Sequence, residues 1–310
     1  MTKNFCKITL FFAVLSLFVL TQTIPAQKIS PKASVEQIVK SSNGTIGVAI
    51  VGLEDNFSLN VNGDKRFPMQ SVFKFPLAVA VLDQVDKGKL ALDQKIRVTK
   101  SDLLPNTWSP LREANPDGGD ILLSDLLKYT VSQSDNNGCD ILFRLLGGAK
   151  SVGTYVNKNL GVKDIAIVAT EEEMAKDERV QFTNWSKPTA MLRLMVNSYQ
   201  GKYLSKSSND FLWKIMAETS TGVKRIKGSL PEGTIVAHKT GTSGTNDKGV
   251  ATATNDAGIV TLPDGKHFAI VVYVSNSTDD EKKREAVIAQ ISKVVWDYYL
   301  EKTPNALLVK

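Results

Sequence analysis

The chain of 310 residues has few of the residues that build cross-linked or metal-centred proteins, with two cysteines and two histidines. Two cysteines cannot form a disulfide scaffold, and so few Cys and His side chains exclude a metal centre rich in these ligands. Basic residues outnumber acidic residues by only six, 38 against 32, and they form no Lys/Arg block. This dispersed charge argues against a nucleic-acid partner. The sequence also lacks internal repeats, and we expect no metal or other cofactor.

The first 26 residues have the pattern of a secretory signal peptide. Lys3 and Lys7 give a positive start, an apolar run follows from 8 to 20, and small Ala26 ends the segment. The run is shorter than the roughly 20 residues that span a bilayer as a helix. An uncleaved membrane anchor is the alternative, but no later stretch is apolar enough to span a membrane. We expect cleavage, export across the inner membrane to the periplasm, and no stable membrane anchor.

The remaining chain predicts strands at both ends and helices between them. β-Branched, strand-like runs occupy 44–53, 57–61, 234–240, 250–262 and 267–275, and helical patterns occupy 71–87, 124–132, 138–147, 150–160, 187–198 and 208–218, with a long helix from 279. These elements predict an α+β fold, an antiparallel sheet flanked by N- and C-terminal helices. The expected division is a signal peptide (1–26), an α/β domain (27–70 and 220–310) and an inserted all-helical domain (71–219).

The first chemical motif is Ser71-Val-Phe-Lys74 at the start of a helical pattern. A serine hydroxyl is a weak nucleophile and needs a base beside it. Lysine three residues later lies on the same helical face, within reach of the hydroxyl. Pro76 is tolerated only in the first turn of a helix, so it places the helix start close to Ser71. Alone, the motif is also typical of a solvated helix face.

Two further motifs follow in the chain. Ser134-Asp135-Asn136 reads as a loop between two helices, with a hydroxyl that can relay a proton and an amide that can hold a carbonyl. An ordinary turn or N-cap is the alternative reading. Lys239-Thr240-Gly241 lies on an apolar strand, where lysine and threonine can bind a carboxylate and Gly241 allows close backbone approach. An edge-strand lysine is the alternative there.

The three motifs in this order resemble the serine β-lactamase and penicillin-binding protein superfamily, and most closely the class A β-lactamases. The resemblance covers essentially the whole chain after the signal peptide. It implies the β-lactamase/transpeptidase-like fold and hydrolysis of a β-lactam amide through a serine acyl-enzyme, with antibiotic resistance as the consequence. The expected partner is a small β-lactam, and we expect a monomer.

The resemblance also implies a role for each motif residue. Ser71 would be the acylated nucleophile and Lys74 its proton partner, while Ser134 would protonate the departing lactam nitrogen. Asn136 would hold the side-chain amide of the substrate. Lys239, Thr240 and Gly241 would form the carboxylate side of the cleft, and the backbone N–H groups of Ser71 and Thr242 would form the oxyanion hole.

A β-lactamase also needs a carboxylate that activates water for deacylation. By the resemblance we assign this base to Glu171, with Glu172 as the alternative. The family pattern Glu-x-x-x-Asn is not present, because Ala175 follows Glu171 at the fourth position. The Arg–Asp salt bridge that closes this loop in the family also has no counterpart, since we place Ala169 and Val180 at its two positions. These departures resemble an atypical, extended-spectrum branch of class A, and they suggest a roomier site that accepts cephalosporins and penicillins.

Four other residues are candidates for the binding cleft. Arg225 would face the substrate carboxylate, and a surface arginine is the alternative. Trp108 would wall the cleft, and a core tryptophan is the alternative. Thr242 and Ser243 would line the cleft just beyond Gly241.

Other readings of the chain fit the residues less well. A Ser-His-Asp triad would have to use His238 or His267, and neither has a nucleophile motif beside it. By strand alternation, His238 points away from the face that carries Lys239 and is structural. Cys139, in a helical stretch, is expected to be buried and inert. A D,D-peptidase shares all three motifs but not the deacylating carboxylate, and a penicillin-sensing domain would normally accompany a membrane span.

Overall fold

The computed structural model describes residues 29–302, so the predicted signal peptide lies outside the described residues. No helix between Ile29 and Lys302 is long and apolar enough to cross a membrane. The strands are β1 Thr45–Gly52, β2 Ser58–Val61, β3 Phe67–Pro68, β4 Lys95–Val98, β5 Gly119–Leu122, β6 Ile165–Ala166, β7 Trp185–Ser186, β8 Val236–Thr242, β9 Ala251–Thr261 and β10 His267–Ser277. The helices are α1 Pro31–Lys40, α2 Lys74–Asp86, α3 Pro110–Ala114, α4 Leu123–Ser132, α5 Asn136–Leu145, α6 Ala149–Lys158, α7 Glu171–Lys176, α8 Pro188–Tyr199, α9 Lys206–Ala217 and α10 Glu281–Lys302.

The main sheet has five strands in the order β2-β1-β10-β9-β8, and every neighbouring pair whose register is given runs antiparallel. The register places Val48 of β1 opposite Val272 of β10. Strands from both ends of the chain therefore form one sheet, as the sequence predicted. Two smaller sheets, β3-β7-β6 and β4-β5, lie outside it.

Strand β10 shows how the sheet separates two hydrophobic clusters. Its residues Phe268, Ile270, Val272 and Val274 pack with α1 and α10, while Ala269, Val271 and Tyr273 join the cluster built by α2, α4, α5, α6, α8 and α9. This follows from the period of two along a strand, because successive side chains point to opposite faces. The predicted packing of the first and last helices on the sheet is confirmed.

The α+β class and the antiparallel sheet with flanking helices are confirmed, and the long elements lie close to their predicted positions. The helix predicted over 71–87 begins at Lys74, and a single 3-10 turn, Gln70–Phe73, precedes it. Pro76 is the third residue of α2, within the first turn, where it removes no helical hydrogen bond. Cys139 is buried with a free thiol. The division into an α/β domain and an all-helical domain stays a prediction.

Candidate active site

Ser71 lies in the 3-10 turn that leads into α2, and this turn is fixed against the sheet. The side-chain amide of Asn255 on β9 donates to the carbonyls of Pro68 at 2.8 Å and Met69 at 3.1 Å. Gly241 on β8 allows the close contact, because a Cβ at this position would lie 2.4 Å from the Met69 carbonyl oxygen. The sheet thus holds the backbone directly before Ser71 in one place.

Lys74 is fully buried and its ammonium group joins three parts of the chain. Its Nζ donates to Ser71 Oγ at 2.9 Å, to Asn136 Oδ1 at 2.5 Å and to the Ser134 carbonyl at 2.8 Å. The same Nζ lies 2.8 Å from Glu171 Oε1. Ser71 Oγ also donates to that oxygen of Glu171 at 3.2 Å. The serine hydroxyl therefore contacts both the Lys74 ammonium group and the Glu171 carboxylate, and the carboxylate can accept its proton.

The Ser134-Asp135-Asn136 segment forms the turn between α4 and α5, as predicted. Ser134 has a positive φ of 59°, which turns its side chain and carbonyl towards Lys74 and Lys239. Asp135 caps α5 by accepting from the Gly138 backbone N–H at 2.7 Å. Burial raises the pKa of Asp135, although its hydrogen bonds oppose that rise. The cap fixes Asn136 at the first position of α5, facing Lys74.

Lys239 lies on β8 with its side chain fully buried, and its Nζ donates to Ser134 Oγ at 2.8 Å and to the Thr240 carbonyl at 2.9 Å. Within residues 29–302, no carboxylate oxygen lies within 4 Å of this ammonium group. Burial, and then the positive charge of Lys74, lower the pKa of Lys239 well below its ordinary value. An anionic ligand at this position would supply the missing negative charge.

His238 contacts none of these groups. Its Nδ1 lies 2.9 Å from Asp256 Oδ1, and both side chains are fully buried. This placement agrees with the predicted structural role of His238.

The loop before and around α7 brings Glu171 to the site. Thr170 is the N-cap of α7 and forms a capping box with Glu173. Asp140 on α5 accepts the backbone N–H groups of Glu171 at 2.8 Å and Glu172 at 2.9 Å. Burial raises the pKa of Asp140 to about 7, while the two backbone N–H donors act in the opposite direction. The Glu172 carboxylate instead pairs with Lys176 at 2.6 Å, so the geometry supports Glu171 rather than Glu172 as the base.

The closure of this loop differs from our sequence interpretation. Asn184, and not Val180, lies opposite Ala169: its Nδ2 donates to the Ala169 carbonyl at 2.8 Å. Its Oδ1 accepts the backbone N–H groups of Val168 at 2.8 Å and Ala169 at 3.1 Å. The placement of Val180 there was wrong: Val180 begins the 3-10 turn Val180–Thr183, and this turn brings the following residue, Asn184, beside Ala169. A buried amide thus closes the loop where the family has an ion pair.

A cleft of about 260 Å³ opens between this loop and the end of β8. One rim consists of the loop, and the other consists of the segment that follows β8. Gln70 and Gln181 join the nucleophile turn to the loop through a 2.5 Å hydrogen bond at the floor of the cleft. The lining residues are Gln70, Thr107, Asn136, Glu171, Met174, Ala175, Glu178, Gln181, Thr242, Ser243, Gly244, Thr245, Asn246 and Thr252.

The remaining candidates have mixed placements. Thr242 and Ser243 line the cleft. Arg225 is buried behind β8, where its guanidinium donates to the carbonyls of Gly241 and Asn255 and to Thr242 Oγ1 at 2.8 Å. Arg225 therefore contacts the cleft through Thr242, and its burial excludes the alternative that it is a surface arginine.

Thr240 and Trp108 are less directly placed. The Thr240 hydroxyl lies 2.6 Å from Thr221 Oγ1, and Thr240 does not belong to the cleft lining. Trp108 is 57% exposed, which excludes the core alternative, and its Nε1 donates to the Gln133 carbonyl beside the Ser134 turn.

Several residues of the site escaped the sequence analysis. Asp140 follows Asn136 by four residues on α5, a spacing that puts both on one helical face and could have revealed it. Gln70 directly precedes the nucleophile. No local signal marks Gln181, Asn184 or Glu178, because their positions depend on how the loop closes.

Comparison with known proteins gives consistent results. A model of the beta-lactamase enzyme family matches residues 30–299. The chain is 48% identical to beta-lactamase VEB-1 of Pseudomonas aeruginosa over 295 residues, covering 94% of this chain and 98% of that protein. It is 43% identical over 278 residues to extended-spectrum beta-lactamase PER-1 of the same organism, covering 89% and 90%. The crystal structure of a beta-lactamase from Chitinophaga pinensis is similar with a TM-score of 0.85 and 57% identity, covering 87% of this chain and 99% of that one.

Proposed function

The chain belongs to the beta-lactamase enzyme family, and from that premise we propose how the residues of its cleft carry out β-lactam hydrolysis. The protein is a class A β-lactamase, and the consequence of its activity is resistance to β-lactam antibiotics. The relatives support this activity and not the D,D-peptidase or penicillin-sensing alternatives. The observation that carries the proposal is the contact of one hydroxyl, Ser71 Oγ, with both Lys74 Nζ and Glu171 Oε1.

In the acylation step, Ser71 Oγ attacks the lactam carbonyl and its proton passes to the Lys74–Glu171 pair. The attack places negative charge on the carbonyl oxygen, which the backbone N–H groups of Ser71 and Thr242 would stabilise. Such donors contribute about 3–4 kcal/mol each in other enzymes. The lactam C–N bond then breaks, and the departing nitrogen takes a proton from Ser134 Oγ. The proton that the Lys74–Glu171 pair took from Ser71 would then pass to Ser134, which leaves Glu171 as a free carboxylate. Lys239, 2.8 Å from the Ser134 hydroxyl, would stabilise the negative charge on that oxygen until the proton arrives.

In the deacylation step, Glu171 removes a proton from a water molecule that attacks the acyl-enzyme ester. The Glu171 carboxylate is suited to this because Asp140 accepts its backbone N–H and the capping box of Thr170 fixes the helix start at Glu171, which leaves the carboxylate facing Ser71. Ala175 offers no amide to the water, so Glu171 and neighbouring polar groups such as Asn136 must orient it. The bond between the acyl carbon and Ser71 Oγ then breaks, Glu171 returns the proton to Ser71, and the ring-opened product is released.

Substrate is oriented by the two ends of the cleft. At one end Lys239 supplies an unpaired positive charge for the substrate carboxylate, with Thr240 and the Arg225–Thr242 contact beside it. At the other end Asn136 would hold the side-chain amide, and the cavity lined by Ser243 accepts the side chain. These two anchors would place the lactam carbonyl over Ser71.

Steady-state hydrolysis of a chromogenic cephalosporin by the purified protein tests the proposal. Sustained turnover by the wild-type chain, and loss of both acylation and turnover in Ser71→Ala, are expected. A stoichiometric burst without turnover in the wild type would contradict hydrolysis, and normal turnover in Ser71→Ala would contradict the assigned nucleophile.

We further propose an extended substrate range that includes bulky oxyimino-cephalosporins. The support is the loop closed by Asn184 without an ion pair, together with the likeness to PER-1, which is named an extended-spectrum enzyme. The kcat/KM for oxyimino-cephalosporins should exceed that for simple penicillins. Equal or lower values would count against this range.

The proposed location is the periplasm, with removal of residues 1–26 and a monomeric product. The support is the signal pattern of Lys3, Lys7 and the apolar run that follows them. N-terminal sequencing and size-exclusion chromatography of the periplasmic fraction test this. A start near Gln27 and a monomer mass are expected, whereas an uncleaved chain in the membrane fraction would contradict it.

A further inference from the structure

The cleft that accepts the substrate side chain has an acidic wall. Of the residues that line the 260 Å³ cavity, two are charged, and both are glutamates, Glu171 and Glu178. Asp247 and Lys248 belong to the segment that forms the opposite rim, but they do not line the cavity. The charge that a side chain meets inside the cavity therefore comes from two carboxylates.

The two carboxylates differ in their partners. Glu171 lies 2.8 Å from Lys74, which balances its charge. In the part of the chain that the structure describes, Glu178 has no cation within 4 Å and no hydrogen-bond donor. Its basic neighbours are paired elsewhere, Lys176 with Glu172 at 2.6 Å and Arg179 with Asp177 at 2.8 Å. Glu178 is the uncompensated charge of the cleft.

We propose that Glu178 is a specificity-determining residue that selects β-lactams with a positively charged side chain. The proposal rests on the proposed function, because it takes the cavity beside Asn136 as the place of the substrate side chain. A protonated amine on that side chain would find in Glu178 the carboxylate partner that the protein itself does not provide. A side chain that carries a second carboxylate would meet repulsion from the same group.

The effect should be small, because Glu178 is exposed and solvent screens its charge. Charge pairs at exposed positions contribute at most about 1 kcal/mol, equivalent to about fivefold in kcat/KM. The effect should also weaken at high salt, because mobile ions screen exposed charges. Selectivity, and not the chemical step, is the property that Glu178 controls.

The test uses three penicillins that differ in one substituent on the α-carbon of the side chain: benzylpenicillin with a hydrogen, its α-amino derivative and its α-carboxy derivative. At about pH 6.5 the α-amino group is protonated. In Glu178→Gln, the ratio of kcat/KM for the α-amino compound to that for benzylpenicillin should fall, by up to about fivefold. The ratio for the α-carboxy compound should rise. Glu178→Lys should shift both ratios further in the same directions.

Glu113→Gln is the matched control, because it makes the same charge change at an exposed residue that does not line the cavity. It should keep both wild-type ratios. Unchanged ratios in Glu178→Gln and Glu178→Lys, or equal changes in Glu113→Gln, would overturn the proposal. Hydrolysis of benzylpenicillin by the wild type reports separately on the proposed function. If the wild type does not hydrolyse it, the assignment of the cleft is wrong. If it does, but the Glu178 variants keep the wild-type ratios, only the role of Glu178 is wrong.

Discussion

At the scale of single residues, the site is built from buried charges with different degrees of compensation. Lys74 and Glu171 neutralise each other at 2.8 Å, whereas Lys239 is fully buried without a carboxylate within 4 Å among residues 29–302. Burying an ammonium group without a counter-charge is costly. An anionic substrate group beside Lys239 would supply the missing counter-charge and offset this cost, which favours binding of the substrate.

Replacing Lys239 tests this view of the cleft. In Lys239→Ala, KM for β-lactams should rise by about 10–100-fold, because a charge-assisted hydrogen bond contributes about 1.5–3 kcal/mol. Steady-state kinetics measures this, with Lys282→Ala, which removes the same charge from an exposed position on α10, as the control. An unchanged KM in Lys239→Ala would remove Lys239 from the carboxylate site.

Asp140 gives a second residue-scale prediction, concerning stability and pH. Burial raises its pKa to about 7 in the folded protein, so between about pH 4 and pH 7 the folded state holds a proton that the unfolded chain has released. This group therefore stabilises the fold less as pH rises through that window, by at most about 4 kcal/mol. Asparagine does not titrate, so the Asp140→Asn variant should not show this loss. Its free energy of unfolding, relative to that of the wild type, should therefore increase as pH rises from about 4 to about 7.

Urea unfolding of both proteins at several pH values measures this difference. Asparagine has one acceptor oxygen and can keep only one of the two backbone N–H bonds that Asp140 accepts. This loss lowers the free energy of unfolding of the variant by an amount that does not depend on pH. A difference between the two proteins that stays constant, or that changes in the opposite direction with pH, would be inconsistent with a raised pKa for Asp140.

At the scale of elements, neutral hydrogen bonds of Asn184 close the loop that carries Glu171. Asn184 makes three of them within a fully buried environment, two to the backbone of Ala169 and one to that of Val168. Its own backbone carbonyl accepts from the Met69 N–H at 2.9 Å, which links the loop to the segment before Ser71. Asn184 therefore helps to fix the distance between the nucleophile and the carboxylate base, together with the Gln70–Gln181 hydrogen bond and Asp140.

Removing that side chain should affect stability and deacylation together. Asn184→Ala leaves buried backbone groups unpaired, which should cost about 2–4 kcal/mol in the free energy of unfolding. Because Glu171 loses its fixed position, acyl-enzyme should accumulate during turnover, as measured by quenched-flow mass spectrometry. Asn56→Ala, in an exposed turn, is the control. Wild-type stability and no accumulation in Asn184→Ala would show that other contacts hold the loop.

At the scale of the whole molecule, the main sheet separates the layer that carries the catalytic residues from a layer that is mainly structural. One face joins the cluster that contains Val72 and the helices beside Ser71, and the other packs against α1 and α10. Lys239 points to the first face and His238 to the second, as alternation along β8 requires. The long terminal helix thus stabilises the sheet from the far face, and its Glu285 pairs at 3.2 Å with Arg225, the residue that contacts Thr242 in the cleft.

A pair of core substitutions distinguishes the two layers. Ile288→Ala, fully buried on α10, should lower the free energy of unfolding by about 2–5 kcal/mol while leaving kcat/KM of the folded enzyme at the wild-type value. Val72→Ala should lower both, because Val72 packs beside Gly241 and Ser71. Thermal unfolding and kinetics below the transition check this. A fall in kcat/KM for Ile288→Ala would mean that the far layer shapes the site.

The sequence predicted most of the long elements because each spans several periods of hydrophobic alternation or helical spacing. It could not predict β3, β6 and β7, since a strand of two residues carries no period. The motif residues were predictable because Ser71, Lys74 and Lys239 lie at fixed local spacings. Asn184 and Glu178 were not, because their positions follow from the tertiary path of the loop and not from local pattern.

The central claim is that Ser71 is acylated and that Glu171 directs the water that frees it. Intact-mass spectrometry of Glu171→Gln mixed with a cephalosporin tests this most directly, since the variant keeps the nucleophile and loses the base. A stable increase in mass by the bound fragment of the drug, absent in the double variant Ser71→Ala/Glu171→Gln, is the expected result. Normal turnover by Glu171→Gln with no persistent adduct would contradict the account and direct attention to Glu172.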